Sequence, residues 1–369
     1  MLGGGQLGRM FALAARRCGY KVVIFGDPKD SPAGQISDLS FDAAFDDEDA
    51  LRTFAERVDV VSYETENIPV STVEFLLQQV PVYPGVELLR ASQHRLIEKT
   101  SLRQIGIPTA DFMGVRSLAE LQNAVHSFGG AAILKTVTLG YDGKGQAKIG
   151  PSTDLAELWQ KFAVPEAIVE RIVDFQFELS IVASRFKDGT CAFYSPVRND
   201  HVNHILDLSI SPASEISEAQ TRDAIEMARA ILEHFDVIGV LCVELFAASD
   251  GTLVVNEIAP RPHNSGHLTI DACDSSQFEQ QFRAICGLPS GNVCQRRPAV
   301  MANLLGDHLT RVTPERWKSV LGMSGVHVHM YGKSESRTGR KMGHITATAD
   351  SEAEARNLAL EARRRLSFD

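Results

Sequence analysis

The spacing of apolar positions changes several times along this chain, and each change marks an element. Residues 7–18 carry apolar side chains at helical spacing and stop at Gly19. A short apolar strand, 21–25, follows. The pattern then predicts a helix over 49–58, a strand over 58–63, a helix over 70–79 and a short strand at 82–83. Strands alternating with helices imply a doubly wound parallel sheet. A helix over 87–105 leads to Ile107-Pro108, which closes this first unit.

Downstream the rhythm differs. Residues 117–128 read as a helix, with Glu120 at capping-box spacing from Ser117. Strands are expected at 131–135 and 166–173, and a hairpin over 177–185 and 190–197 turns at Lys187-Asp188-Gly189. A long amphipathic helix, 217–235, leads into two apolar strands. The first is 237–246; the second begins Leu253-Val254-Val255, with the turn signal Asp250-Gly251 between them. Pro260 and Pro262 end the second ladder. A helix at 277–286, strands at 299–305 and 326–331, and a terminal helix at 351–366 complete the pattern. It divides the chain into 1–106, 107–174 and 175–369, with no internal repeat.

With 369 residues the chain is too long for one typical core. Its 44% hydrophobic and 23% charged residues predict an ordinary soluble globular protein. A formal net charge of −10 argues against a nucleic-acid surface. No apolar run approaches a membrane span, and no signal peptide is visible, so a cytoplasmic protein is expected. The six scattered cysteines fit reduced thiols better than disulfides or zinc.

Chemistry concentrates where the second strand of the late pair ends. Asn256 and Glu257 set an amide and a carboxylate there, and Arg261, His263, Asn264 and Ser265 follow in a proline-stiffened loop. Glu244 interrupts the preceding apolar strand, and a lone carboxylate there is costly unless it is paired or metal-bound. If the two strands pair, Glu244 and Glu257 lie side by side. Two carboxylates and an amide suit magnesium, which shares oxygen ligands with substrate phosphates.

Other signals are weaker. Gly3-Gly4-Gly5-Gln6-Leu7-Gly8 matches a dinucleotide fingerprint, and Asp27 stands where a ribose-binding acid would. The strand that should precede it is nearly absent, and a plain β–α turn explains it equally well. Glu64-Thr65-Glu66-Asn67 falls at the carboxyl edge of the first sheet, where such sheets bind ligands. Arg95 and Lys99 share one helical face, for which solvation is the strong default. Three glycines and Lys144 in Gly140-Tyr141-Asp142-Gly143-Lys144-Gly145-Gln146 make a loop able to close over phosphates, and Lys135 ends the strand before it. Glu170-Arg171-Ile172-Val173 would offer a strand edge to a purine. Segment 332–344 is a strongly basic stretch in an acidic protein, suited to a phosphate or simply to solvent.

Four motifs together resemble the ATP-grasp superfamily and, within it, the 5-(carboxyamino)imidazole ribonucleotide synthases of bacterial purine synthesis. They are Gly5-Gln6-Leu7-Gly8-Arg9-Met10, the 140–146 loop, the run from Asn256 to His267, and Gly339-Arg340-Lys341-Met342-Gly343-His344. The resemblance spans nearly the whole chain. It implies an ATP-grasp fold of three domains, α/β and α+β: an N-terminal doubly wound parallel sheet, a small central lid and a larger C-terminal mixed sheet. It further implies that Arg95, Lys135, Gly140, Gly143, Gly145, Gln146, Glu170, Arg171, Ile172, Val173, Glu178, His201 and Asn256 bind ATP, and that Glu244 and Glu257 hold magnesium. Arg261, Tyr141, Asp142 and Lys144 would be catalytic. Gln6, Leu7, His263, Asn264, Ser265, Lys333 and Arg340 would bind the substrates, 5-aminoimidazole ribonucleotide and bicarbonate. The implied reaction is carboxylation through carboxyphosphate, by a homodimer linked functionally to a downstream mutase. A formate-using ribonucleotide transformylase of the same superfamily and, from another class, an NAD-dependent oxidoreductase are the alternatives.

Overall fold

The computed structural model describes residues 1–138, 145–309 and 312–367. The N-terminal part contains helices α1 (Gln6–Arg17), α2 (Glu48–Ala55), α3 (Val70–Leu77), α4 (Val86–Ser92) and α5 (Arg95–Gln104), with parallel strands β1 (Val23–Phe25) and β2 (Leu39–Phe41). Leu2 bridges both Phe25 and Tyr63 in parallel, and Val61 bridges Val82. Met1 and Leu2 therefore take the middle of the parallel sheet, and Leu2 is buried. The strands expected at 58–63 and 82–83 shrink to these single bridges.

The helix expected over 87–105 is two helices. His94 leaves helical backbone angles and becomes the N-cap of α5. Gln93 beside it donates from its amide to the carbonyls of Glu66 (2.7 Å) and Ile68 (2.6 Å), tying the break to the 64–67 segment.

The central part is an antiparallel sheet of β3 (Phe112–Val115), β4 (Ala132–Thr136), β5 (Gln146–Ile149) and β6 (Ala167–Arg171), ordered β3-β6-β4-β5. Helices α6 (Leu118–Ser127) and α7 (Leu155–Phe162) cover it, packing Leu121, Val125 and Leu158 against Leu134 and Val169. Ser117 and Asp154 cap the two helices with side-chain oxygens, each filling backbone N–H groups that the first turn leaves without partners.

The C-terminal sheet has nine strands: β7 (Phe175–Arg185), β8 (Cys191–Phe193), β9 (Val197–Val202), β10 (Ile205–Ser211), β11 (Gly239–Ala248), β12 (Leu253–Ala259), β13 (Ala299–Leu305), β14 (Val326–Met330) and β15 (Lys341–Thr348). The order is β12-β11-β7-β9-β10-β13-β15-β14, with β8 on β7. All of these pairs are antiparallel; a parallel bridge joins Thr109 to Val255 on the outer edge. Helix α8 (Glu218–His234) starts at a Ser217/Gln220 capping box and packs Ala224, Ala228 and Ile231 on Leu179, Leu241 and Val243. Leu88, Leu102 and Ile107 join that same core, so α4 and α5 seat the N-terminal part on the large sheet.

Short α9 (Thr269–Ala272) leads to α10 (Gln277–Ile285), whose Phe278 and Phe282 pack with Met10, Phe11 and Tyr331. Helices α11 (Gly306–Leu309), α12 (Pro314–Leu321) and α13 (Glu352–Leu366) complete the chain. The last four residues of the 332–344 basic stretch, from Lys341 on, belong to a sheet strand: β15 lies between β13 and β14 and buries His344. Its polar residues hide the strand period, because the small residues Gly343 and Ala347 alternate poorly with them.

Candidate active site

Glu244 faces Glu257 directly across β11 and β12, a register that the hairpin allows and a bulge at Asn256 sets. Glu178 lies on the adjacent strand β7, opposite Phe246. Three carboxylates thus crowd one face of the sheet. Burial, then the charges of Glu244 and Glu257, push Glu178 up to about 7. His201 from β9 sits 3.3 Å from Glu178.

Cations answer this charge. Arg95 of α5 reaches Glu257 at 3.2 Å. Lys135 of β4 pairs with Glu170 at 2.8 Å, and Lys99 lies 3.6 Å from the same carboxylate. The solvated face expected for Arg95 and Lys99 is not what the fold provides: Lys99 is 1% exposed. Position on a helix could not reveal that a second domain covers that face.

The loop after β12 is braced from below. His263 Nδ1 hydrogen-bonds the Ser265 hydroxyl (2.8 Å), and its Nε2 meets Glu244 (2.9 Å). Burial opposes charge on His263, but neighbouring Cys242 and Glu244 outweigh it and hold the imidazole above its ordinary value. Ser265 is wholly buried and its hydroxyl is shared with Ser180 (2.7 Å), so it supports His263 and has no free face for a ligand. Asn264 differs: neither end of its buried amide has a hydrogen-bond partner. A buried amide left open is costly, and a bound ligand removes that cost. Arg261 grips Glu66 with two N–H groups, one of them at 2.9 Å, which brings the 64–67 segment into the site.

The strand edge expected for a purine needs correction. Glu170 lies inside the central sheet, facing Phe112 on β3 and Ile133 on β4, and its carboxylate is engaged by Lys135. Arg171 faces Ala132, donates its N–H to Asp111 (2.8 Å) and pairs with the Asp111 side chain. Only Ile172 and Val173 lie beyond the ladder. They line a recess with Thr109, Asp111 and Val254. A strand's neighbours are set by topology, and the local pattern carries no sign of them.

The first glycine motif is also different in detail. The amides of Gly5 and Gly8, at the start of α1, donate to the Glu64 carboxylate, the second at 2.7 Å, and Gly4 donates to Asp27 at 2.7 Å. The amides that open this anion site therefore point at acids of the chain itself. Gln6 and Leu7 form the first turn above them. Burial, then the charge of Arg340, pulls Lys333 down to about 8. Lys333 donates to the Lys341 carbonyl at 2.6 Å and Arg340 to that of Glu335 at 2.9 Å.

Gly145 has a φ of +70° and Gln146 opens β5 beside Lys135. Gly140, Tyr141, Asp142, Gly143 and Lys144 lie outside the described residues. Among the described residues no group of three or more His, Cys, Asp and Glu is arranged to hold a metal. Glu244 and Glu257 supply two hard oxygen donors side by side, which fits magnesium that completes its shell with water and substrate phosphates. The sequence reading placed Glu66 at a ligand-binding sheet edge but without its partner Arg261, and it passed over Glu98, whose only signal was its place between Arg95 and Lys99.

Three family profiles match in order: a ribonucleotide synthetase preATP-grasp domain over residues 1–93, an ATP-grasp domain over 100–278, and a phosphoribosylaminoimidazole carboxylase C-terminal domain over 299–358. The chain is 39% identical over 356 residues to the N5-carboxyaminoimidazole ribonucleotide synthase of Bacillus subtilis, covering 96% of this chain and 92% of the relative. It is 41% identical over 368 residues to the bifunctional purine synthesis protein purC/E of Dictyostelium discoideum, covering 94% of this chain but only 36% of that longer protein. The crystal structure of N5-carboxyaminoimidazole synthase from Aspergillus clavatus, in complex with ADP and 5-aminoimidazole ribonucleotide, superposes with a TM-score of 0.89 at 31% identity, covering 99% of this chain and 97% of the other.

Proposed function

The chain belongs to the ATP-grasp family, among the N5-carboxyaminoimidazole ribonucleotide synthases, and from that premise we propose that it carboxylates 5-aminoimidazole ribonucleotide with ATP and bicarbonate. The direct cross-strand pairing of Glu244 and Glu257, with Arg95 on Glu257 and Lys135 on Glu170, carries this reading. It gives a carboxylate pair for magnesium and cations for the phosphates of ATP. When bound, magnesium would neutralise charge on the transferring phosphoryl oxygens.

Bicarbonate is a poor electrophile. An oxygen of bicarbonate attacks the γ-phosphorus, the bond to ADP breaks, and carboxyphosphate forms. The amine of the ribonucleotide then attacks its carbon, phosphate leaves and the amine gives up a proton. Arg95 and Lys135 balance the phosphate charge. Arg261, His263 and the open amide of Asn264 line the place where the carboxyl group is made, and Lys333 with Arg340 holds the ribonucleotide phosphate. Tyr141, Asp142 and Lys144 complete the reading from the loop over the phosphates. Carboxyphosphate is labile in water, so the site has to close before it forms.

Glu178 and His201 receive the ribose of ATP, and Ile172 with Val173 its adenine. A cytoplasmic homodimer completes the proposal. Carbamates lose carbon dioxide in water, which favours hand-over to a nearby mutase. Among the described residues no helix is long and apolar enough to cross a membrane.

The deciding measurement is phosphate release with ATP and magnesium, omitting bicarbonate, formate and the ribonucleotide in turn. Release that needs bicarbonate and rises with the ribonucleotide is expected. Dependence on formate would move the chain to the transformylases.

A further inference from the structure

Helix α5 presents Arg95, Glu98 and Lys99 at spacings of three and four, so all three share one face. That face lies against β12, the edge strand of the large sheet. Three consecutive residues of β12 are each held by one of them. Lys99 Nζ donates to the Asn256 carbonyl at 3.0 Å. Arg95 meets the Glu257 carboxylate at 3.2 Å. Glu98 Oε1 accepts from the Ile258 N–H at 2.6 Å.

The strand is irregular at this spot. Leu245 of β11 faces Val255 and Glu244 faces Glu257, so Asn256 has no opposite number and forms a bulge. A bulge re-aims the side chains beside it, and the side chain beside it is Glu257. An edge strand also leaves its outer N–H and C=O groups without a neighbouring strand. Here a helix supplies the partners through side chains. Glu98 is 2% exposed and Lys99 1%, so neither is open to a ligand. Burying two charges is costly, and an apolar pair of similar volume would often be as stable. Such a pair would leave the Asn256 carbonyl and the Ile258 amide without partners, which gives the charges a task beyond packing.

We propose that Glu98 and Lys99 are positioning residues for magnesium: from one helix they clasp the backbone just before and just after Glu257 and fix the direction in which Glu257 offers its carboxylate. This rests on the assignment of Glu257 to the metal given above. Lys99 also reaches Glu170 of the central sheet, so the clasp joins all three parts of the chain at the metal ligand.

Two readouts besides turnover test it. Backbone hydrogen exchange of the 253–259 segment is followed in metal-free protein. Mn²⁺ binding in the presence of ADP is titrated by electron paramagnetic resonance. Glu98→Leu should speed exchange of the Ile258 amide, and both Glu98→Leu and Lys99→Met should weaken Mn²⁺ binding about 10- to 100-fold, as loss of outer support does at metal sites. Glu98→Gln keeps an oxygen acceptor for the same N–H and should bind Mn²⁺ as the parent does; Lys99→Arg keeps the donor and should rescue Lys99→Met. If Glu98→Leu does not fold, the two Lys99 variants carry the comparison. Parent-like Mn²⁺ affinity in folded Lys99→Met and Glu98→Leu overturns the clasp, provided Glu257→Gln in the same titration loses affinity. If Glu257→Gln also keeps full affinity, the metal assignment itself is what fails.

Discussion

Glu66 and Arg261 show how much one pair of side chains decides. Burial alone would raise the Glu66 carboxyl, but Arg261 outweighs it and holds it at about 2, against an ordinary 4.5. A carboxyl held low stabilises the fold in full above its ordinary value and loses that contribution as pH falls towards the folded value. Glu66→Gln should therefore be less stable than the parent by an amount that stays constant above pH 4.5 and shrinks below it. Urea unfolding at a series of pH values measures this, and a gap that persists in acid would mean the pair is not the source. At the proposed magnesium ligand, Glu257→Gln removes a charge and almost no volume. It should abolish ATP turnover while leaving the circular dichroism spectrum unchanged. Near-normal ATP consumption by the folded variant would sink the metal assignment.

At the scale of elements, β15 and the turn before it form one working unit. The strand is locked between β13 and β14, and the turn before it carries Arg340, whose charge disfavours the charged form of Lys333. An anion relieves repulsion between like charges, and in the proposed reaction that anion is the ribonucleotide's 5′-phosphate. Arg340→Ala should raise the Michaelis constant for the ribonucleotide about tenfold to hundredfold, the equivalent of roughly 1.5–3 kcal/mol for a charge-assisted contact. The constant for ATP should hardly move. Steady-state kinetics with each substrate varied separately decides it; equal weakening for both would make the turn a support for the fold or the ATP site.

For the whole molecule, three separately packed parts meet at one site. Arg95 comes from the N-terminal part, Lys135 from the central sheet and Glu257 from the large sheet. A ligand that binds this meeting point stabilises all of them together by mass action. Magnesium and ADP at about a hundred times their dissociation constant should add about 2.7 kcal/mol to unfolding stability. Differential scanning fluorimetry with and without the ligand checks this, and Glu257→Gln should lose the gain. A full gain in that variant would place nucleotide binding elsewhere.

The sequence by itself determined the local chemistry. The turn at Asp250-Gly251 between two apolar runs brought Glu244 and Glu257 into one hairpin, and the bulge at Asn256, which no local signal showed, set them directly opposite one another. The capping signal at Ser117 and the apolar periods placed most helices. The four motifs, taken together, carried the family. The tertiary structure alone decided which of these residues face one another across long separations. Arg95 and Lys99 looked like a solvated helix face until the large sheet covered them. Glu170 looked like part of an exposed edge until β3 and β4 took both its sides. Glu64 and Glu66 were legible as acids at a ligand-binding sheet edge, but their partners were not: the glycine amides for one, and for the other Arg261, 195 residues away. Periodicity and turn chemistry act over the reach of a turn or two, so they are written locally. Burial and charge pairing between domains depend on where the chain returns, and no short stretch of sequence contains that.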